Sequence, residues 1–150
     1  MRKNRNAYEV DLNNLIVRGK SEMVGVIVAD INGVKEVNDR LGHSAGDDYI
    51  RMVADVIREN KTSTMVAYRT GGDEFSIFIQ DAELEEMKNF VETCIYQVKH
   101  QKKFSNMRCS LACGYTIFDS EQDKTLNDTY KRADDLMYAE KRRQKEAEER

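Results

Sequence analysis

Arg69-Thr70-Gly71-Gly72-Asp73-Glu74-Phe75, followed by Ser76-Ile77-Phe78-Ile79, is the stretch around which the chain can be organised. Before it, Met65 to Tyr68 is short, apolar and rich in strand formers. After it, Phe75, Ile77 and Ile79 alternate with Ser76, Phe78 and Gln80. Two such runs joined by Gly-Gly-Asp-Glu predict a β-hairpin, because glycine reaches the positive φ angles that a tight turn requires. Acids at a hairpin tip are ordinarily just solvated, and spacing alone favours that plain hairpin. What sets this turn apart is two carboxylates beside paired glycines. The missing side chains let a bulky anion approach the backbone, so the tip suits a hard cation and its phosphate.

One domain fits 150 residues, and a chain of that size can bury a real core. Charged residues make up 34% of it but the net charge is only −3, which predicts a mixed surface. Nothing forms the basic stripe that tracks a nucleic-acid backbone, so nucleic-acid binding is excluded by composition. An anionic ligand must then be held locally, by a few lysines, helix N-termini or metal ions. Cys94, Cys109 and Cys113 contain no CxxC pair and have only His43 and His100 as company. They read as buried free thiols of a reducing compartment rather than a zinc site. No apolar run reaches membrane-spanning length, and the opening M-R-K-N-R-N lacks a signal-peptide core, so a cytoplasmic domain without membrane contact is expected.

Along the chain, Tyr8, Val10, Leu12, Leu15, Ile16 and Val17 suit an amphipathic helix over about 7–17, closed by Gly19. Residues 23–31 (M-V-G-V-I-V-A-D-I) are almost continuously apolar, the mark of a strand buried on both faces, with Asp30 at its mouth. Asn32-Gly33 breaks it. A short helix is expected over 34–40, then Leu41-Gly42, then a loop over 43–47 in which Ser44 or Asp47 caps the helix that follows. That helix, over 48–60, carries Ile50, Val53, Ala54 and Ile57. Residues 83–101 form the clearest helix, with Leu84, Met87, Phe90, Val91, Cys94, Ile95 and Val98 as its stripe. A strand is expected over 107–118, with Leu111, Cys113 and Tyr115 on one face. An acidic loop spans 119–125. Leu126, Tyr130, Ala133, Met137 and Leu136 then carry a last helix into the charged tail, whose opposite charges suit i,i+4 pairs.

The order α-β-α-α-β-β-α-β-α indicates an α/β (α+β) fold: a central, mixed, mostly antiparallel sheet of about five strands flanked by helices. The most apolar strand, 23–31, should be central. If it lies beside the hairpin, Asp30 and Ile31 at its end meet Asp73 and Glu74 at the turn. Three such acids repel one another without a cation. With a backbone carbonyl they offer the all-oxygen environment magnesium accepts, phosphate and water completing the octahedron.

At these residues the chain resembles the GGDEF family, the diguanylate cyclases. Gly71-Gly72-Asp73-Glu74-Phe75 is the family signature unaltered. D-I-N-G-V-K-E-V-N-D-R-L-G-H-S-A-G-D, from Asp30 to Asp47, is similar to the family's D-x-D-x-F-K-x-x-N-D-x-x-G-H-x-x-G-D. A-D-D-L-M-Y-A-E-K, from Ala133 to Lys141, resembles the closing A-D-x-A-L-Y-x-A-K, and Asn4-Arg5 resembles the end of the opening motif. The resemblance implies a nucleotidyl-cyclase, polymerase-palm-like fold that joins two GTP molecules into cyclic di-GMP with release of two pyrophosphates. It implies that Asp30, the Ile31 carbonyl, Asp73 and Glu74 hold two magnesium ions per site, with manganese as an alternative. Asp73 and Glu74 are the catalytic candidates, Glu74 either as a ligand of the second metal or in deprotonating the attacking 3′-hydroxyl. Asn38 and Asp47 would bind the guanine edge. Lys35, Lys141 and the N–H groups of Gly33 and Val34 would cradle the triphosphate. Arg69 fits a brace of the hairpin better than a substrate contact.

One domain supplies one such site, so the resemblance further implies a second protomer, and an upstream sensory domain in a longer protein, whose membrane anchor would lie upstream. Residues 1–150 would be its catalytic part. The departures are specific. Asn32 replaces an aspartate, leaving a residue that can cap the next helix but removing one negative charge. Val34 replaces phenylalanine, Ala112 a serine, Glu140 a small residue, and Lys145 an arginine. Thr62-Ser63-Thr64-Met65 stands where many members carry the R-x-x-D product-inhibition site. Asn32, Val34 and Glu140 motivate the rival reading of a GTP-binding regulatory domain without turnover. A protein-interaction module using the 83–101 helix is a second rival.

Overall fold

The computed structural model describes residues 2–3 and 23–149. Among these, the strands are β1 (Arg2–Lys3), β2 (Gly25–Asn32), β3 (Met65–Arg69), β4 (Glu74–Ile79) and β5 (Ser110–Ile117), and the helices are α1 (Val34–Leu41), α2 (His43–Asn60), α3 (Leu84–Lys99) and α4 (Leu126–Glu148). The sheet order is β1-β3-β4-β2-β5; β1 runs parallel to β3 and the other pairs are antiparallel. This is the mixed, mostly antiparallel sheet that the pattern predicts. Its fifth strand is the two-residue β1, for which the sequence shows no strand pattern. The expected helix over 7–17, Gly19 and Asn4-Arg5 lie outside the described residues.

The apolar run of β2 is explained by its neighbours. It lies between β4 and β5, and both of its faces are covered. Ile27, Ala29 and Ile31 pack into the larger core with Tyr49 and Val53 of α2 and Met87 and Phe90 of α3. Val24, Val26 and Val28 pack into a second core with Ala112, Leu126, Ala133 and Met137. Each such side chain contributes roughly 1.5–3 kcal/mol by leaving water. Leu111, Cys113 and Tyr115 do share a face, the one on the larger core.

Several expectations are corrected. Residues 43–47 are not a loop but the first turns of α2. Gly42, at φ 96°, ends α1 and restarts the helix, and the Asn38 side chain of α1 accepts the Gly46 N–H at 2.8 Å, so neither Ser44 nor Asp47 is needed as a cap. Asn32 does not cap α1, whose N-cap is Gly33 at φ 77°. Gly71 and Gly72 are not left-handed. Four residues separate β3 from β4, so the connection does not need the φ values of a two-residue turn. Leu84 is 58% exposed, because it begins α3 before the helix reaches the sheet, and Leu136 is 49% exposed, one residue off the Ala133–Met137 line. β5 starts at Ser110, leaving Cys109 buried just before it. Cys94, Cys109 and Cys113 are free thiols. In the charged tail Arg143 pairs with Glu140, three residues apart, not four.

The acidic loop holds the largest surprise. Asp123 is 4% exposed and accepts from Arg132 at 2.8 and 2.6 Å, from Thr129 Oγ1 at 2.9 Å and from the Asp119 N–H at 3.0 Å. Arg132 continues to Thr116 Oγ1 and the Ile117 carbonyl, both at 2.9 Å, fastening α4 to the end of β5. Along the same interface α4 runs almost on the backbone of β5. A Cβ added at Gly114 would stand 2.2 Å from the Ala133 carbonyl oxygen and 2.3 Å from the Met137 nitrogen.

Two outcomes are expected. Gly114→Ala forces α4 away from the sheet and lowers unfolding free energy by about 1–3 kcal/mol in denaturant titration. The Arg132 guanidinium holds the Asp123 carboxyl below its ordinary value of 3.8. The folded value being depressed, this contribution is fully present above pH 3.8 and is lost as pH falls further, through the folded value. Asp123→Asn is therefore less stable than the parent at neutral pH, with the difference shrinking in that acid window.

Candidate active site

The hairpin tip is drawn onto the end of β2 by one backbone bond, from the Ile31 N–H to the Asp73 carbonyl at 2.8 Å. Asp30 is directly opposite Glu74 in the β2–β4 register and opposite Ala112 in the β2–β5 register. Strand alternation puts Asp30 and Glu74 on the face covered by α4, where Val26, Val28 and Phe78 also lie. Ala112 is fully buried there, within the second core.

Asp30 is 8% exposed and forms an ion pair with Lys141 of α4. Burial pushes its carboxyl above the ordinary value, the Lys141 ammonium opposes that, and the Asp73 carboxyl beside it raises it again. Two carboxylates are thus in side-chain contact at the strand mouth. Glu74 is turned toward α4, where its Oε2 accepts from the Thr70 hydroxyl at 2.5 Å and from the Tyr130 hydroxyl at 2.9 Å. A further acid, Asp134, lies behind them on α4; burial and the charges of Glu74, Asp135 and Asp30 raise its carboxyl, and its Oδ1 is buried without a hydrogen-bond partner.

Among the described residues, no three His, Cys, Asp or Glu side chains enclose a metal site by themselves. The donor set nevertheless fits magnesium. Two hard carboxylates, Asp30 and Asp73, stand in contact next to the Ile31 peptide, and magnesium is commonly held by one or two carboxylates with the substrate's phosphates supplying the rest. Lys141 supplies a compensating charge beside Asp30. Arg69 braces the tip, its guanidinium donating to the Gly71 carbonyl at 3.3 Å and to the Gly72 carbonyl at 3.2 and 2.6 Å. A Cβ at Gly72 would meet nothing within 4 Å, so the glycines leave the approach to the tip open.

The other expected residues flank this corner. Gly33 joins β2 to α1, Val34 packs half-buried against the larger core, and Lys35 is exposed in the first turn of α1. Asn38 faces the start of α2 and Asp47 is exposed there. Since a backbone N–H can only donate, the Asn38 amide must turn its oxygen to Gly46, which directs its NH₂ away. A Cβ on Gly46 would come within 2.3 Å of that oxygen. The structure thus gathers Asp30, Ile31, Asp73, Glu74 and Lys141 at one corner and seats Gly33, Val34, Lys35, Asn38 and Asp47 on the adjoining helix pair.

Asn32, another of the departures, is a clamp. Its NH₂ donates to Ser110 Oγ at 2.9 Å and Gln144 Oε1 at 2.8 Å, and Gln144 returns a bond to the Leu111 carbonyl at 3.0 Å. Tyr49, fully buried, donates to the Asn32 carbonyl at 2.7 Å and accepts from the Ser110 N–H at 2.9 Å. Sequence reading missed Tyr49, Thr70, Tyr130 and Asp134. Tyr49 continues the Val53–Ile57 stripe of α2, and Tyr130 sits on the apolar face of α4; a phenol so placed requires a polar partner.

Comparison with known proteins matches residues 3–147 to the family model described as "Diguanylate cyclase, GGDEF domain". Diguanylate cyclase DgcS of Shewanella oneidensis is 28% identical over 140 residues, 92% of this chain and 46% of that protein. Diguanylate cyclase DosC of Escherichia coli K12 is 32% identical over 128 residues, 80% of this chain and 26% of that protein. The chain therefore spans less than half the length of these relatives. Among solved structures, the GGDEF domain of DgcB from Caulobacter crescentus, in complex with c-di-GMP, superposes with a TM-score of 0.84 at 26% identity, over 94% of this chain and 86% of that one. The active GGEEF domain of a Vibrio cholerae diguanylate cyclase gives 0.85 at 25% identity, over 95% and 93%.

Removing the lysine bonded to Asp30 tests the electrostatics of this corner. Lys141→Met leaves the Asp30–Asp73 pair without that compensating charge. Because Lys141 is more than a third exposed, the variant is expected to lose only about 1–3 kcal/mol of stability at neutral pH. Millimolar Mg²⁺ should raise its melting temperature more than it raises that of the parent chain.

Proposed function

The chain belongs to the GGDEF family of diguanylate cyclase domains, and from that membership and the geometry of the acid corner we propose that it condenses two GTP molecules into cyclic di-GMP. The observation that carries this reading is the Ile31–Asp73 bond, which brings the Asp73 carboxylate against Asp30. Asp30, Asp73 and the Ile31 carbonyl would hold Mg²⁺, with Glu74 completing the acid set. The bound ion neutralises the phosphates and the charge that develops on them.

The protein's own groups do the positioning. Asn38 offers its NH₂ as donor and Asp47 its carboxylate as acceptor, the pairing that guanine's O6 or N3 and its N1–H and N2–H₂ require; adenine lacks that donor pattern. The N–H groups of Gly33 and Val34 at the start of α1, with Lys35 and Lys141, receive the triphosphate. Each 3′-hydroxyl attacks the α-phosphorus of the other nucleotide; a P–O bond forms, the α–β bridge breaks, the hydroxyl proton leaves and pyrophosphate departs, twice in all. One protomer offers one site, so two must face each other, and whatever brings them together controls turnover. A sensory domain upstream in a longer protein would do this.

Feedback through the R-x-x-D site is not expected. At the corresponding positions Thr62 and Thr64 bond each other at 3.0 Å, and Met65 is buried in the core. The regulatory alternative, binding without turnover, draws its support from Asn32, whose two amide protons are committed to Ser110 and Gln144.

The test is incubation of the chain, dimerised through an added coiled coil, with GTP and Mg²⁺, and chromatography of the products. Cyclic di-GMP and pyrophosphate are expected. Asp73→Ala should abolish both, and Gly46→Ala, by displacing Asn38, should raise KM for GTP at least tenfold. GTP binding with neither cyclic nor linear dinucleotide formed would establish the regulatory alternative.

A further inference from the structure

Helix α4 is joined to the end of β2 by two side-chain bridges whose chemistry differs. Lys141 pairs with Asp30, and Gln144, three residues further along the helix, meets Asn32. Residues three apart are neighbours on one side of a helix, and residues two apart share one face of a strand, so the bridges stand side by side. The first is ionic; the second is neutral.

The neutral bridge allows one arrangement of its protons. The Leu111 carbonyl can only accept, so the Gln144 amide turns its nitrogen to it, at 3.0 Å. The Gln144 oxygen then faces residue 32, which must donate, and the Asn32 amide does so at 2.8 Å. Its second proton goes to Ser110 Oγ at 2.9 Å, while the Asn32 carbonyl accepts from the Tyr49 hydroxyl at 2.7 Å. An aspartate at position 32 would set a carboxylate against the Gln144 oxygen. Asn32 and Gln144 are therefore matched to each other, and Gln144 ties α4 to β2 and β5 at once.

The two bridges answer differently to a ligand at the acid corner. Asp30 can exchange the Lys141 ammonium for a cation, and Lys141 can exchange Asp30 for a phosphate, so the ionic bridge opens. Two neutral amides offer neither a cation nor an anion a charge to displace. We infer that Asn32 and Gln144 are positioning residues whose bridge stays closed while Lys141 changes partner, holding α4 where the ammonium reaches the triphosphate. The inference rests on the cyclase reading of the acid corner and adds two residues to it.

Calorimetric titration of α,β-methylene-GTP, which cannot be cleaved at the α–β bond, into the full 150-residue chain with Mg²⁺ tests this. Gln144→Met and Asn32→Ala should each weaken binding by about five- to tenfold, the scale of one lost hydrogen bond. Combined, they should weaken it by no more than about tenfold, since either change alone already opens the bridge. In a Lys141→Met background, Gln144→Met should change affinity by less than about twofold, because the side chain that the bridge positions is gone. Unchanged affinity in the Gln144→Met chain overturns the inference. So does an equal loss with Lys141 replaced, which would mark the bridge as structural only. A parent chain that binds no analogue fails the cyclase reading itself, and that result is distinct from the first two.

Discussion

A single backbone hydrogen bond, from the Ile31 N–H to the Asp73 carbonyl, fixes what this chain can do. β2 and β4 would pair without it, since their register runs from Gly25–Ile79 to Asp30–Glu74. The bond extends that pairing one step past the strand end and folds the turn inward, so that Asp73 meets Asp30 instead of standing in solvent. Like charges brought into contact cost free energy unless a cation sits with them. The fold therefore creates an electrostatic demand at the mouth of its most buried strand, and Lys141 meets it in part.

Helix α4 is the element that serves this corner. Gly114 lets it lie nearly on the backbone of β5, and the Asp123–Arg132 pair fastens its first turns to the strand end. From that seat it supplies Tyr130 to Glu74, Lys141 to Asp30 and Gln144 to Asn32. The opposite face of the sheet contributes rigidity: Tyr49 joins the ends of β2 and β5, and α1 and α2 carry Asn38 and Asp47. The acids thus rest on a two-sided core, with the helix pair beside them.

The fold was legible where periodicity is strong. The unbroken apolar run of β2, the alternation after Phe75 and the stripe of α3 each follow from burial, which the sequence records directly. The contact between Asp30 and Asp73 was legible as a conditional, since both acids close strands expected to be adjacent. What escaped depended on contacts across long sequence separations. Asp123 reads as solvated in a loop that also holds Asp119 and Glu121; only Arg132, placed by α4, makes it a buried anchor. Asn32 reads as a cap, yet its amide finds Gln144, 112 residues away. The turn glycines suggested a tight bend, but four connecting residues relieve the φ requirement and leave the glycines as open approach. Residues 43–47 looked like a loop because the group that starts their helix, Asn38, belongs to the preceding one.

The central claim is that Asp30 and Asp73 share a divalent ion at the point where the turn meets β2. Anomalous diffraction from crystals of the chain grown with Mn²⁺ and α,β-methylene-GTP measures this directly. The account predicts a manganese peak bridging the two carboxylates, with Lys141 moved from Asp30 to the phosphates. A nucleotide-bound structure whose manganese lies elsewhere, with the Lys141–Asp30 pair intact, would contradict it.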